Sequence, residues 1–391
     1  MTEEKAMRPI WITAGVAVLA LSAAGLAQAP VAPYDSLESW GEVLFFDTDL
    51  SANRTESCAS CHSPDLAFTD PRETQAGRAV SIGDDGVSLG DRNAPTAAYA
   101  RFSPAFHRTD MGKWKGGQFH DGRAATLADQ AKGPPLNPIE MGMPDEAAVA
   151  ARLWDNPRYL ATMTALKGPQ TATDPLAAYD AMAEAIAAFE ATDSFAPFDS
   201  KYDRFLRGEE RLSDEEELGR LLFFSNQFTN CNICHQLNRG PLEEEETFSN
   251  YEYHNIGTPA NVQARAVNGV SADHVDRGLL DNPNISDPAQ AGKFKVPTLR
   301  NVAVTGPYMH NGVFADLRTV VLFYNKYNSR RPERQINPET GQPFGPPEVP
   351  ENISLTELET GPALDDKRID AIVAFLETLT DKRYEPLLRD R

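Results

Sequence analysis

The sequence predicts a mostly α-helical protein made of two related halves, with few strands and long loops, and three observations predict it. The motif Cys-x-x-Cys-His occurs twice, as Cys58-Ala-Ser-Cys61-His62 and Cys231-Asn-Ile-Cys234-His235. A matching hexad precedes each copy, Gly41-Glu-Val-Leu-Phe-Phe46 and Gly219-Arg-Leu-Leu-Phe-Phe224. Elsewhere apolar residues recur at helical spacing, as in Ile369, Ile372, Val373, Phe375 and Leu376, while Pro and Gly gather in stretches between.

In chain order, Lys5 and Arg8 precede an apolar run from Ile10 that ends in small residues at Ala27-Gln28-Ala29. This is the pattern of a secretory signal peptide over residues 1–29, and it implies an exported, periplasmic protein with no membrane span after cleavage. An uncleaved N-terminal anchor is the alternative, but the run is short for a span of about 20 apolar residues. The first hexad reads as a short helix, with Asp35-Ser36 ahead of it as a possible cap. Helices are also expected over Asp145–Trp154 and Ala177–Ala191, and loops over Ser81–Asn93 and Gly133–Pro144. The boundary between halves falls near Asp193–Arg207, giving domains over 30–195 and 196–391. Ser213-Asp-Glu-Glu216 reads as a capping box opening the second hexad's helix. Glu243–Glu246 reads as a solvated loop, Asp281–Gly292 and Asn337–Pro350 as loops, and Leu364–Leu379 as a closing helix against the second half's core.

The two Cys-x-x-Cys-His units use all four cysteines, so none remains for a disulfide. Their spacing puts two thiols on adjacent turns with a histidine beside them, the arrangement that attaches haem c through two thioethers and ligates its iron. Cys58, Cys61, Cys231 and Cys234 are therefore the expected attachment points, and His62 and His235 the proximal ligands. Each half then reads as cytochrome c-like. A formal charge of −20 argues against nucleic acid and favours a basic patch on a protein partner.

Two haems make an electron carrier if both sixth positions are filled, and an enzyme if one is open to peroxide or dioxygen. On the residues alone, Tyr324 or Met309 serves equally well as the sixth ligand of the second haem, and Glu140 reads as an ordinary loop carboxylate.

The segment Lys295-Val-Pro-Thr-Leu-Arg-Asn-Val-Ala-Val-Thr-Gly-Pro-Tyr-Met-His-Asn-Gly312 resembles the C-terminal signature of the bacterial di-haem cytochrome c peroxidase family. Phe198-Asp-Ser-Lys-Tyr-Asp203, Tyr251-Glu-Tyr-His-Asn-Ile-Gly257 and Leu322-Phe-Tyr-Asn-Lys-Tyr327 extend the likeness from about Asp35 to Leu388. Within the family the chain is most similar to the methylamine-utilisation branch, which has tyrosine where the peroxidases have a ligating methionine. The resemblance implies that Tyr324 ligates the second iron opposite His235, an anionic donor that favours the oxidised metal. It further implies an open first haem flanked by Gln130, Pro134 and Glu140. There Glu140 moves a proton on peroxide, Gln130 hydrogen-bonds oxygen or water, and Pro134 restricts access. Met141 and Met143 beside them read as packing residues. A calcium ion between the halves is implied as well, held by the Asn93 side chain and the carbonyls of Thr305 and Pro307.

Two departures stand out. The family's Phe-Trp-Asp-Gly-Arg reads Phe119-His120-Asp121-Gly122-Arg123 here, so imidazole replaces the indole expected between the haems. Thr229, with Phe228 beside it, stands where the branch has a surface tryptophan that takes electrons from its protein substrate. The activity implied is oxidation, by H2O2 or by O2 plus electrons, of tryptophans in the methylamine dehydrogenase precursor, completing tryptophan tryptophylquinone. The alternatives are a peroxidase fed by a small redox protein, and a pure electron carrier.

Overall fold

Ser36 and Ser39 cap one another at the start of α1 (Leu37–Phe45). The computed structural model describes residues 1–2, 31–240, 242–271 and 273–390, and Ala32–Arg391 form one compact unit. The expected signal peptide lies outside the described residues apart from Met1 and Thr2. Among the described residues no helix is long and apolar enough to cross a membrane.

After α1 come the single turn α2 (Cys58–Cys61), α3 (Leu127–Ala131), α4 (Gly133–Leu136), α5 (Glu146–Asp155), α6 (Pro157–Lys167) and α7 (Pro175–Glu190). The chain continues through α8 (Lys201–Leu206), α9 (Asp214–Phe223), a second single turn α10 (Cys231–Cys234) and α11 (Val262–Arg265). It ends with α12 (Leu317–Asn325), α13 (Leu355–Leu358) and α14 (Asp366–Glu377). Strands among the described residues are three two-stranded antiparallel ribbons: β1 (His107–Arg108) with β2 (Trp114–Lys115), β3 (Tyr253–His254) with β4 (Phe294–Lys295), and β5 (Ile336–Asn337) with β6 (Gln342–Pro343). The mostly α architecture expected from the sequence is thus observed.

One helix crossing is used twice. In the first half α1 lies on α7 so closely that a Cβ on Gly41 would sit 1.8 Å from the Ala185 carbonyl oxygen. In the second, a Cβ on Gly219 of α9 would sit 1.8 Å from the Ala371 carbonyl oxygen of α14. The glycine of each hexad is there because nothing larger lets the backbones approach. Around each crossing grows a separate apolar core, one drawing residues from Trp40 to Phe198 and the other from Tyr202 to Leu379. The reciprocal caps of α1 and α9 each stabilise their helix by about 1 kcal/mol.

Three loop expectations need correction. Gly133–Pro144 opens as α4, because Pro134 at its first turn has the φ a helix start requires and no N–H to lose. Asn337–Pro350 opens within the β5–β6 ribbon, where Asn337 pairs with Gln342. The acidic run is solvated only at Glu243–Glu245. Glu246 is buried, and its carboxylate accepts from the backbone N–H groups of Asn238 (2.7 Å), Arg239 and Gly240 (3.2 Å), so it anchors a turn.

A buried ion pair of the second half lies against the first core. Arg300 donates to Asp203 of α8 at 2.6 and 3.0 Å and to the Glu246 carbonyl at 2.7 Å. Its guanidinium lies 4.8 Å from the ring centre of Phe198 and 5.4 Å from that of Phe248. Burial works against the Asp203 charge, yet Arg300 more than offsets it and keeps the carboxyl below its usual range. Removing one partner strands the other in an apolar site. Asp203→Ala should therefore cost about 3–5 kcal/mol, read as a lower denaturant midpoint of the haem-loaded protein.

Candidate functional site

Each Cys-x-x-Cys-His unit is a single helical turn whose closing bond runs from the histidine N–H to the first cysteine carbonyl, 2.9 Å at His62 and 3.0 Å at His235. Both imidazoles are oriented in the same way. His62 Nδ1 meets the Phe68 carbonyl at 3.1 Å, and His235 Nδ1 meets the Phe248 carbonyl at 2.9 Å. A carbonyl only accepts, so each Nδ1 carries the hydrogen and Nε2 keeps its lone pair, the state a metal ligand needs. Burial lowers both rings' affinity for protons, to a pKa of about 4 at His235, which keeps them neutral. Burial also pushes the thiols of Cys58 and Cys234 up to about 12, so neither is a thiolate on its own.

In the second half these groups open on a cavity of about 340 Å³. Cys231, Cys234 and His235 form one wall, and Leu299, Ile372 and Leu376 are among its apolar lining. Both candidate sixth ligands, Tyr324 of α12 and Met309, reach this cavity, so its lining leaves the choice between them open. Burial pushes the Tyr324 phenol well above its usual range, which opposes a free phenolate and favours one paired with a cation. His254 lines the same cavity with Nε2 buried and without a hydrogen-bond partner among the described residues. A flat apolar group attached at one edge, ligated from below and carrying a polar rim fits this enclosure.

In the first half α3 carries Gln130, α4 carries Pro134, and the loop after them carries Glu140. Backbone bonds stitch that loop to α4: Met141 N–H to the Pro134 carbonyl (3.3 Å) and Met143 N–H to the Pro135 carbonyl (2.8 Å). Met141 and Met143 are buried in the first core, as expected of packing residues. The Glu140 carboxylate accepts from the Asn137 amide at 2.9 Å. Burial raises its pKa to about 7, against the pull of Arg123 and of that amide. A carboxyl poised there exchanges protons readily near neutrality.

His120 stands between the halves. It lines the cavity of the second half, and its Nε2–H donates to the Asn93 carbonyl at 2.9 Å. Burial lowers its pKa to about 4, so it is a neutral ring. Asn93, Thr305 and Pro307 all come to that cavity. The Asn93 amide nitrogen is spent on the carbonyls of Arg78 (3.3 Å) and Ala79 (3.1 Å), leaving its oxygen as the donor atom a hard cation uses.

Some neighbours were not anticipated. Arg92 forks onto Asp276 at 2.7 Å through Nε and Nη2 and reaches Asp121 through Nη1 at 2.6 Å, tying the His120 loop to the second half. Lys295 is half-buried beside that loop, its backbone N–H donating to the His120 carbonyl at 2.9 Å, and desolvation lowers its pKa to about 7. His310 stacks on Phe294 with centroids 3.6 Å apart. Lys295 and His310 lie inside the 295–312 signature, so the signal was present but without an assigned role. Thr229 is buried, its hydroxyl donating to the Leu222 carbonyl at 2.6 Å, while Phe228 is 44% exposed.

A family model described as di-haem cytochrome c peroxidase matches residues 36–211. The chain is 60% identical to methylamine utilization protein MauG of Paracoccus denitrificans (strain Pd 1222), over 95% of each chain. It is 32% identical to cytochrome c peroxidase Ccp of Escherichia coli (strain K12), over 90% of this chain and 59% of that relative. Among solved structures, the diheme peroxidase BthA from Burkholderia thailandensis E264 superposes with a TM-score of 0.79 at 32% identity, over 90% of this chain and 88% of that one. With two haem-binding motifs in matching turns and this likeness along nearly its whole length, the chain belongs to the di-haem cytochrome c peroxidase family and is an oxidoreductase of two haems.

Proposed function

We propose that this chain is a periplasmic enzyme that uses hydrogen peroxide, or O2 plus electrons, to oxidise tryptophans of the methylamine dehydrogenase precursor and so complete tryptophan tryptophylquinone. The observation that carries this reading is the 60% identity, end to end, to a methylamine utilization protein. The leader pattern of residues 1–29 supports export.

Thioethers from Cys58, Cys61, Cys231 and Cys234 would hold the two haems, over domains of 30–195 and 196–391, with His62 and His235 as proximal ligands. Bound haem supplies the iron at which peroxide is reduced and oxidising equivalents are held. In the first half Glu140 takes a proton from peroxide and returns it to the departing oxygen, Gln130 orients that oxygen by hydrogen bonding, and Pro134 keeps larger groups out. In the second half Tyr324 would help His235 hold the second haem. A phenol that resists ionisation when alone becomes a strong anionic donor once a metal cation replaces its proton. Calcium held by Asn93, Thr305 and Pro307 would fix the spacing of the halves, and His120, bonded to the Asn93 carbonyl, would lie in the path between them.

A second reading, a peroxidase drawing electrons from a small redox protein, is favoured by Thr229. It cannot be oxidised at accessible potentials, and it is buried. The half-exposed Phe228 beside it is a poor substitute. On the first reading, electrons from a docked protein would have to tunnel directly or pass through another aromatic, unless the substrate differs.

The two readings separate when the haem-loaded protein is mixed with peroxide and the quinone-free methylamine dehydrogenase precursor. Stoichiometric growth of quinone absorbance is expected. No quinone, with rapid peroxide turnover on a reduced small cytochrome, would favour the second reading. For Glu140 acting as a base, the sign follows from its raised pKa. The carboxylate forms as pH rises, so the rate of reaction with peroxide should climb through about pH 7 and then level. Glu140→Gln should abolish that limb and slow the reaction by about 10²–10⁴-fold, measured by stopped-flow absorbance.

A further inference from the structure

The first core contains a line of oxidisable rings that the proposed reaction does not use. Trp40 of α1 is fully buried in the same core as Met141 and Met143, against which Cys58 also packs. Its indole ring lies 6.2 Å from the ring of Tyr159 on α6, and Tyr159 lies 6.4 Å from Tyr34. Tyr34 is only half-buried, beneath the exposed Arg158, whose guanidinium carbon lies 3.7 Å from its ring centre. The three rings therefore step from the core of the peroxide-reducing half to its surface.

Their proton partners differ in a way that gives the line a direction. The Trp40 Nε1–H is buried and has no hydrogen-bond acceptor among the described residues. An indole oxidised there cannot lose its proton, so it keeps a positive charge in an apolar site and passes the oxidising equivalent on. The Tyr159 hydroxyl donates to the Asp47 carboxylate at 2.7 Å, within range for direct proton transfer. When Tyr159 gives an electron to oxidised Trp40, its phenolic proton moves to Asp47. The products are neutral indole, a neutral phenoxyl and a protonated carboxyl. Tyr34 next gives an electron to Tyr159, which recovers its proton from Asp47, and the proton of Tyr34 goes to water.

We propose that Trp40, Tyr159 and Tyr34 form an electron-entry path that lets small aqueous reductants discharge the peroxide-oxidised enzyme at Tyr34 when no protein substrate is docked. This gives the protein a second, protective peroxidase activity. With hydroquinone as reductant the reaction balances as H2O2 plus hydroquinone giving benzoquinone plus two waters, two electrons passing inward one at a time. The inference rests on the reading of the first half as the site of peroxide reduction. Without the path, oxidising equivalents are left to attack the buried thioethers of Met141 and Met143.

The test uses haem-loaded protein, peroxide and no precursor, comparing wild type with Tyr159→Phe and Tyr34→Phe, each checked for unchanged haem absorbance. Magnetic resonance of freeze-quenched samples, peptide mapping of nitroso spin-trap adducts, hydroquinone oxidation and methionine sulfoxide are read together. Wild type should show a tyrosyl signal and an adduct on Tyr34. Tyr159→Phe should lose both, oxidise hydroquinone several-fold more slowly, and gain sulfoxide at Met141 and Met143. Tyr34→Phe should keep a tyrosyl signal but lose the solvent adduct. Peroxide consumption with methionine oxidation, but with tyrosines unmodified and Tyr159→Phe indistinguishable from wild type, would overturn the path alone. Failure to consume peroxide at all would overturn the reading beneath it, and the path with it.

Discussion

The pair Arg300–Asp203 lies where the two cores meet, and much of the site hangs from it. Arg300 reaches the Glu246 carbonyl, and its guanidinium packs beside Phe248, whose own carbonyl orients His235. On its other side lie Phe198 and Tyr99, and the Tyr99 hydroxyl donates to Asp381 at 2.6 Å beyond the last helix. Asn301, the next residue in the chain, donates to Asp381 as well, at 2.8 Å. A single desolvated cation thus links the orientation of His235 to the packing of the first half and to the C-terminal segment. Such a cation is tolerated in an apolar site only while its carboxylate is present.

On this frame one scaffold is used twice. The hexad glycine, the helix crossing, the cysteine turn and the carbonyl that fixes the imidazole tautomer recur in both halves. The other polar groups brought near each cysteine turn do not. In the first half a loop stitched to α4 brings up a carboxyl held near neutrality in its affinity for protons. In the second, a phenol and a thioether reach an apolar cavity. What differs between the halves therefore lies in a few side chains carried by loops and by one helix, on segments that a rigid core positions.

The repeated motifs were legible in the sequence because covalent spacing dictates them. Two thiols and an imidazole must share a turn, and the glycine ahead of each must let two backbones touch. The long helices were legible from apolar spacing, to within two residues at the ends of the closing helix. What stayed hidden depends on contacts between distant residues. Arg92 meets Asp276 from 184 positions away, and no local pattern in either residue announces it. Glu246 looks like its three solvated neighbours until the backbone folds three N–H groups onto it. Thr229 shows in sequence only that an indole is missing, whereas its burial and its bond to Leu222 come from the fold. Tyr324 is a case where geometry adds less than the family likeness, since Met309 reaches the same space.

The proposed function turns on a phenolate at the second haem that the first haem lacks. Magnetic resonance of the ferric, haem-loaded protein decides it directly. One high-spin haem with an open position and one low-spin haem with histidine–tyrosinate ligation are expected, the latter lost in Tyr324→Phe. A histidine–methionine spectrum that survives Tyr324→Phe and disappears in Met309→Leu would contradict it.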